Sequence, residues 1–575
     1  MGSFFKFKIK MKLKSLYVII FLITCLLLST YLISFETQSK PINPDLSPDY
    51  VQMTKILHRF NPGVDYTSLH SLYRIQYPPQ KLSHNLQYSI ELRFKDNLMK
   101  TTSISGLISH VLILVEEALY SKTQAKQKID RYAQDIANSY QCKVTLETIK
   151  GGTPEEIRAL LQGYYYQSGL SCAVFIGHIS EAWYEVPNDH YWWEGGYGYA
   201  NWICDLFYMD LDGEWIDSDG NGIYDIHTNG NGDIYPEIFI GHIDPSTMSN
   251  YGNKEMLLSK FLDKDHNYWQ GNIRLMNYGL IYIDHDWKDY STYYFRHLYG
   301  EKNYDNLKWT EGSNNLVEKF DYLRKRLPNI AYGFTQVWVH STWESHSFHT
   351  GGICYEYEIH ESLPRALGYN IDGCHACDWA AGLGQYFIGG GYIYNSSPTS
   401  LVVIGTTKVG GMLAFETFYI SLGKNNPIGR AFFDWMTDRL KSDEERDFII
   451  GWHYGMTIIG DPLVCFLKVP GKSNNLFEVL PPVDFRGEKV ENRSLLMKET
   501  IHTFSWKPNS DNNPDRIYLY RLYEVKLNSL DLIAEIPSSK TTYFRRGVED
   551  REYLYALCSV DTNNRESNFS FTIIK

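Results

Sequence analysis

His110-Val-Leu-Ile-Leu-Val115, a stretch of helical periodicity from Gln124 to Ser139, Cys142-Lys-Val-Thr-Leu-Glu147, a helix opening at Thr153-Pro154-Glu155-Glu156, and Cys172-Ala-Val-Phe-Ile-Gly177 follow one another along the chain. Short, unbroken apolar runs separated by amphipathic segments predict strands buried on both faces alternating with helices. Thr153 is placed to cap the second helix, with proline at its first position and glutamate in its first turn. Strand, helix, strand, helix, strand implies a right-handed parallel sheet. In such sheets reactive groups gather beyond the carboxyl ends of the strands.

Two further strand ends carry that chemistry. Phe334-Thr-Gln-Val-Trp-Val-His340-Ser341 and Tyr369-Asn-Ile-Asp-Gly-Cys374-His-Ala-Cys377-Asp-Trp379 each read as an apolar strand that stops on a reactive side chain. A thiol is mostly protonated at neutral pH, so a cysteine nucleophile needs an imidazole or another positive neighbour to supply the thiolate. Two parallel strands ending side by side bring those groups together.

Between these regions lies Asp210-Leu-Asp212-Gly-Glu214-Trp-Ile-Asp217-Ser-Asp219-Gly-Asn221-Gly222-Ile-Tyr-Asp225. Alternating acidic and amide residues with glycine at the turns offer several oxygens to one hard cation, which suits Ca2+. Asp217, Asp219, Asn221, Gly222 and Asp225 match positions of an EF-hand loop, but the place of its bidentate glutamate is taken by Thr228. The expectation is a structural calcium loop drawing on Asp210, Asp212, Glu214, Asp217, Asp219, Asn221 and Asp225; the alternative is a solvated acidic turn.

At 575 residues the chain is too long for one core, and two to four domains are expected. A hydrophobic share of 43% is a globular balance, and the net charge of −12 argues against a nucleic-acid partner. Lys6, Lys8, Lys10, Lys12 and Lys14 precede an apolar run from Leu16 to Ile33, the pattern of an export segment, either cleaved or kept as a membrane anchor. Residues 1–40 are assigned to it. Leu22-Ile-Thr-Cys25 has a faint lipoprotein character, but the apolar run continues past the cysteine. The other eight cysteines lack the regular spacing of a disulfide scaffold and fall largely in apolar strands. Residues 41–105, with Pro41, Pro44, Pro48 and Pro78-Pro79, read as a linker, a pro-segment or a small strand-bearing cap.

Beyond Pro481-Pro482 the character changes. Thr503-Phe-Ser-Trp506, Ile517-Tyr-Leu-Tyr-Arg-Leu-Tyr523 and Tyr553-Leu-Tyr-Ala-Leu-Cys-Ser-Val560 alternate between faces and are separated by polar turns. An early tryptophan and a late Tyr-x-Tyr strand over residues 476–575 suggest a β-sandwich resembling a fibronectin type III domain.

The acidic stretch from Met209, then Pro236-Glu237-Ile-Phe-Ile-Gly241, the His340 and Cys374 segments, Gly405-Thr-Thr-Lys408-Val-Gly410 and Gly460-Asp461-Pro462 occur in one order. Together these motifs, spanning roughly residues 106 to 470, resemble the gingipain-type cysteine peptidases, of the same clan as caspases, legumains and clostripain. The resemblance implies an α/β fold: a caspase-like parallel-sheet catalytic domain with helices on both faces, followed by an all-β sandwich. It divides the catalytic part into an N-terminal α/β subdomain with the calcium loop, residues 106–250, and a catalytic subdomain, residues 251–472.

It also implies roles. The family's catalytic cysteine follows a small residue at a strand end, as Gly373-Cys374 does, and the trailing Asp378-Trp379 fits the family pattern. Cys377, after Ala376, is the alternative. The catalytic histidine of the family is usually followed by glycine, whereas His340 is followed by Ser341. His346 and, more remotely, His349 are the alternatives. His340 would serve as general base and then general acid, and the backbone N–H groups of Cys374 and Ser341 would hold the oxyanion.

Other readings of the same residues exist. Cys374-His-Ala-Cys377 is formally C-x-x-C, a redox dithiol or half of a zinc site, but no second C-x-x-C occurs. Buried structural cysteines with a satisfied core histidine form a third. The Gly405 to Gly410 stretch lacks the order of a phosphate loop and reads as a turn beside the site. The reading that follows is an exported, calcium-stabilised cysteine endopeptidase acting on protein or peptide substrates, membrane-associated if its first segment is uncleaved. A transpeptidase using the same dyad and a surface adhesion protein with a catalytically dead domain are the alternatives.

Overall fold

The computed structural model describes residues 64–91, 108–192, 196–273, 278–300, 303–311, 316–349, 352–471, 479–493, 498–509, 512, 517–526, 529–561 and 566–575. The segment expected to direct export, residues 1–40, lies outside them. Among the described residues no helix is long and apolar enough to cross a membrane.

A large, mostly parallel sheet flanked by helices organises residues 80–460. Its strands are β1 (Gln80–Ile90), β2 (His110–Glu116), β3 (Lys143–Gly152), β4 (Cys172–Ile176), β5 (Phe239–Ile243), β6 (Gly279–Ile283), β7 (Tyr304–Lys308), β8 (Phe334–Trp338), β9 (Gly368–Asp372), β10 (Val402–Thr406) and β11 (Met456–Gly460), in the spatial order 1-3-2-4-5-11-10-9-8-6-7. Strands β2 to β5 and β11 run in one direction. Strands β6 to β10 run in the other, the reversal falling where β11 pairs antiparallel with β10. The sheet therefore has two parallel halves joined back to front. Strands β4, β5, β6, β8, β9, β10 and β11 are buried at every position, as strands covered on both faces must be.

The predicted helices form where capping and periodicity place them. Helix α2 (Thr123–Tyr140) buries Ile129, Tyr132, Ala133, Ile136 and Tyr140 along one stripe. Helix α3 (Pro154–Ser168) starts from a reciprocal capping box, Thr153 accepting from the Glu156 N–H while Glu156 accepts from the Thr153 N–H, and ends at Gly169 with φ 63°. Gly241 in β5 lacks a side chain for a visible reason: a Cβ there would stand 2.7 Å from the Pro462 ring.

Residues 64–91 contribute more than a linker. Helix α1 (Tyr66–Gln76) buries only His70 and Tyr73 along its length, and β1 forms the antiparallel edge of the main sheet against β3.

The C-terminal region forms two antiparallel sheets, one of Val483–Arg493, Lys498–Lys507 and Thr542–Arg546, the other of Ile517–Lys526, Ser529–Pro537, Tyr553–Asp561 and Glu566–Ile574. The predicted strands fall inside these. Trp506, 4% exposed, packs with Phe485, Phe504, Tyr520, Leu522, Tyr555 and Leu557 in a core of its own, the sandwich arrangement of alternating inward-facing residues.

Candidate active site

Three adjacent strands of the second half end level with one another. Ile283 of β6 pairs with Trp338 of β8, and Trp338 pairs with Asp372 of β9. The ladder continues one step further, Asp284 N donating to Trp338 O at 2.9 Å and Val339 N to Asp372 O at 3.3 Å. Beyond that layer the strands release Asp284-His285-Asp286, His340-Ser341 and Gly373-Cys374. The carboxyl edge is where polar groups can leave the core without breaking the sheet.

His340, 6% exposed, donates from Nε2 to Asp286 Oδ2 at 2.9 Å and lies against the Trp287 ring. Burial lowers the His340 pKa, and the carboxylate opposes that shift. Burial works in the other direction on Asp286, but hydrogen bonds from His340 and His285 outweigh it and hold its carboxyl at about 2. Asp286 is therefore ionised and shared: its Oδ1 accepts from His285 Nδ1 at 2.9 Å.

Among the described residues Cys374 is the one cysteine with partial exposure; the other seven are buried. Burial pushes its thiol up to about 11, with the Gly410 N–H and the Lys408 cation acting against that shift. Gly373 must be small, because a Cβ there would lie 2.3 Å from Ser341 Oγ and 2.7 Å from Val339 O. The next residue, His375, takes φ 56°, a left-handed conformation costly for a side-chain-bearing residue. It is held there from three sides: its N donates to Lys408 O, its Nδ1 lies 2.9 Å from Asp378 Oδ2, and the Tyr66 ring stacks on it at 3.4 Å.

The alternatives occupy different surroundings. His346 is fully buried, its ring nitrogens engaged by Ser341 Oγ at 2.7 Å and Tyr392 OH at 2.9 Å, and burial drives its pKa to about 3. That is the setting of a core histidine, one that orients Ser341. Cys377 is enclosed against Gly389 and Gly405, where added Cβ atoms would stand 2.8 and 2.7 Å from its sulfur, and burial raises its thiol. The segment after β10 runs beside the site, Thr406 O and Lys408 O accepting from Cys377 N and His375 N. Lys408 itself is buried against Asp189, with Nζ 2.8 Å from Oδ2.

Helix α1 packs onto the loop that follows Cys374. His70 donates to Asp378 Oδ2 at 2.9 Å and to Asn201 O at 2.9 Å. Burial opposes ionisation of both partners, yet the pair's attraction and hydrogen bonds raise His70 above the usual imidazole value and hold Asp378 below the usual carboxylate range.

The predicted calcium loop divides into two groups. Asp210, Asp212 and Glu237 bring carboxylate oxygens within 4.8 Å of one another. Burial raises Glu237 to about 8, with the neighbouring carboxylates of Asp210, Asp212 and Asp233 adding to the shift. All three of this first group also accept from the chain, Asp210 from Gly213 N, Asp212 from Asp233 N and Glu237 from Leu211 N; in the second group Asp217 accepts from the N–H groups of Gly220, Asn221 and Gly222, Asp219 from Asn221 N and Asp225 from Ser218 N. Glu214 lies on the adjoining hairpin beside Thr228. Glu237 was not in the predicted set, although it sits in a motif the sequence singles out. Asp286 was also missed; its only local signal is its position just past an apolar strand.

No protein-family model matches the chain, and no curated protein matches it in sequence. Among solved structures it is similar to a protease, with 10% identity, 81% of this chain and 97% of that one covered, and a TM-score of 0.42. It is also similar to the dimeric latent PorU of Porphyromonas gingivalis, with 9% identity, 81% and 43% covered, and a TM-score of 0.27. An Fn3-like protein from Clostridium thermocellum is similar over 17% of this chain and 93% of its own, with 17% identity and a TM-score of 0.13.

Proposed function

We propose that the chain is an exported cysteine endopeptidase with a caspase-like catalytic domain, Cys374 as nucleophile, His340 as general base and Asp286 as the carboxylate that orients the imidazole. The observation that carries this reading is the level ending of β6, β8 and β9, which delivers Asp, His and Cys to one edge with Asp286 already on His340. A carboxylate on one imidazole nitrogen fixes the tautomer, so that the other nitrogen is the basic one. His340 takes the thiol proton as Cys374 Sγ adds to the scissile carbonyl carbon. The resulting oxyanion is held by backbone N–H groups at Cys374 and Ser341. His340 then protonates the leaving amine, and water, deprotonated by His340, hydrolyses the thioester. Interception of the thioester by an amine in place of water would make the same site a transpeptidase.

Asp210, Asp212 and Glu237 are the residues proposed to hold a structural Ca2+. Three crowded carboxylates, one of them raised to about 8, form a donor set whose mutual repulsion a hard cation relieves. The C-terminal sandwich is proposed to be a fibronectin type III-like module, and the basic and apolar N-terminal segment to direct export or anchor the chain in a membrane.

The test is hydrolysis of a mixed fluorogenic peptide library, in reducing buffer with calcium, by the wild-type protein and by Cys374→Ala. Turnover that disappears in the variant is expected. Turnover unchanged by Cys374→Ala would falsify the assignment. Absence of turnover in both, persisting after limited proteolysis, would favour the adhesion protein with a dead catalytic domain.

A further inference from the structure

Beside His340 lies a cluster that the peptidase chemistry does not use in full. The His285 and His349 imidazoles stack face to face, centroids 3.9 Å apart and planes inclined by 12°, and Trp309 closes one side with its ring 4.3 Å from His285 and 5.5 Å from His349. One ligand atom from each histidine and one from Asp286 all lie within 4.8 Å of one another. A second carboxylate adjoins them. Asp284 is 1% exposed; its Oδ2 accepts from the His349 N–H at 3.0 Å, and its Oδ1 is buried with no hydrogen-bond partner.

Two imidazoles and a carboxylate are the donors that zinc prefers, whereas calcium takes oxygen ligands. With three protein ligands the fourth position remains for water. Metal bonds of about 2.0–2.2 Å require the three donor atoms to close in slightly. A metal lies in the plane of each imidazole it binds, so the stacked rings must also unstack, and exposed His349 is the ring able to rotate.

We propose that His285, Asp286 and His349 form a binding site for a zinc-class divalent ion, and that filling it withdraws carboxylate charge from His340, because Asp286 faces His285 with Oδ1 and His340 with Oδ2. The binding half stands independently; the consequence, loss of peptidase activity while the ion is bound, rests on the peptidase reading. In that state the metal competes with His340 for the charge of Asp286 and lowers the basicity of the imidazole, so zinc acts as a reversible brake without touching the nucleophile.

The experiment titrates the purified full-length protein with Zn2+ against a chromophoric chelator, in calcium-containing buffer, for wild type, Cys374→Ala, His349→Ala and His285→Gln. One equivalent is expected in wild type and in Cys374→Ala alike, with affinity at least about tenfold weaker in His349→Ala and His285→Gln. Unchanged affinity in both histidine variants overturns the site. So does loss of binding in Cys374→Ala, which would place the ion on the Cys374–His340 pair. Because His285 is partly enclosed, metal-free melting curves show whether each variant folds, and exposed His349 carries the test if His285→Gln does not. Peptidase assays at graded zinc form the second arm: inhibition should follow occupancy in wild type and require more zinc in His349→Ala. Stoichiometric binding without inhibition overturns the coupling to Asp286, while turnover in zinc-free buffer separately reports on the peptidase reading.

Discussion

Strands β2, β4 and β5 of the first half of the sheet, and β6, β8 and β9 of the second, all release polar residues at their carboxyl ends, but the two edges use them differently. At the first edge Glu116 pairs with Lys254, Asp244 accepts from Ser246 N and Oγ, and Glu181 accepts from Tyr73 OH and Trp379 Nε1. Helix α1 fills the space, with Tyr77 lying 4.7 Å from the His178 ring. At the second edge Asp286 and His340 hold each other beside a partly exposed thiol. A parallel sheet offers the same kind of edge twice; at one its polar groups are consumed as braces, and at the other Asp286 holds the histidine of the proposed dyad.

The sharpest test of that contrast is Asp286→Asn. It keeps the shape but removes the charge and permits the wrong imidazole tautomer, so kcat should fall about 100- to 10,000-fold with little change in KM or melting temperature. A fall below tenfold would reduce Asp286 to a brace like Glu181. On the bracing side, His70→Ala strips buried Asp378 of one of its two imidazole partners and should lower unfolding free energy by about 3–5 kcal/mol, read from urea denaturation. A loss under about 1 kcal/mol would mean that α1 is not fastened at this point.

Acidification should act through several buried histidines held below their ordinary pKa, His346 among them with His453, His190 and His110. Burial lowers the folded pKa of His346 from 6.5 to about 3, so the stability it supplies is complete above pH 6.5 and is lost as pH falls from there towards 3. The urea midpoint should therefore decline between pH 7 and pH 5, and His346→Gln should make the decline shallower; an equally steep decline in the variant would assign the effect elsewhere. The smallest effect is expected in the first half, where Thr153→Ala removes one side of the α3 capping box. It should cost about 1 kcal/mol without altering turnover, and a change in turnover would show that the two halves are coupled.

Much of the fold was legible. The runs at His110, Cys172, Phe334 and Tyr369 are strands because their burial on both faces demands unbroken apolar sequence, and Thr153-Pro154 starts a helix because its capping groups are local. Helix α1 was not legible, since it buries only two residues, and β1 was anticipated only as one reading, a strand-bearing cap, because it is largely exposed and leaves no apolar run. The division of the acidic stretch into Asp210, Asp212 and Glu237 on one side and a self-bonded turn on the other depends on a residue contributed from beyond the following hairpin.

By itself the sequence determined the strands at His110, Cys142, Cys172, Phe334 and Tyr369, the helices at Gln124 and Thr153, and that Cys374 and His340 each stand just past a strand end, since these follow from periodicity and residue type within a few positions. Only the tertiary structure decided that β6, β8 and β9 end in one layer, that Asp286 reaches His340, and that His285 and His349 face each other. Those contacts join residues far apart in the chain, and their energies depend on burial and distance, which no local pattern encodes.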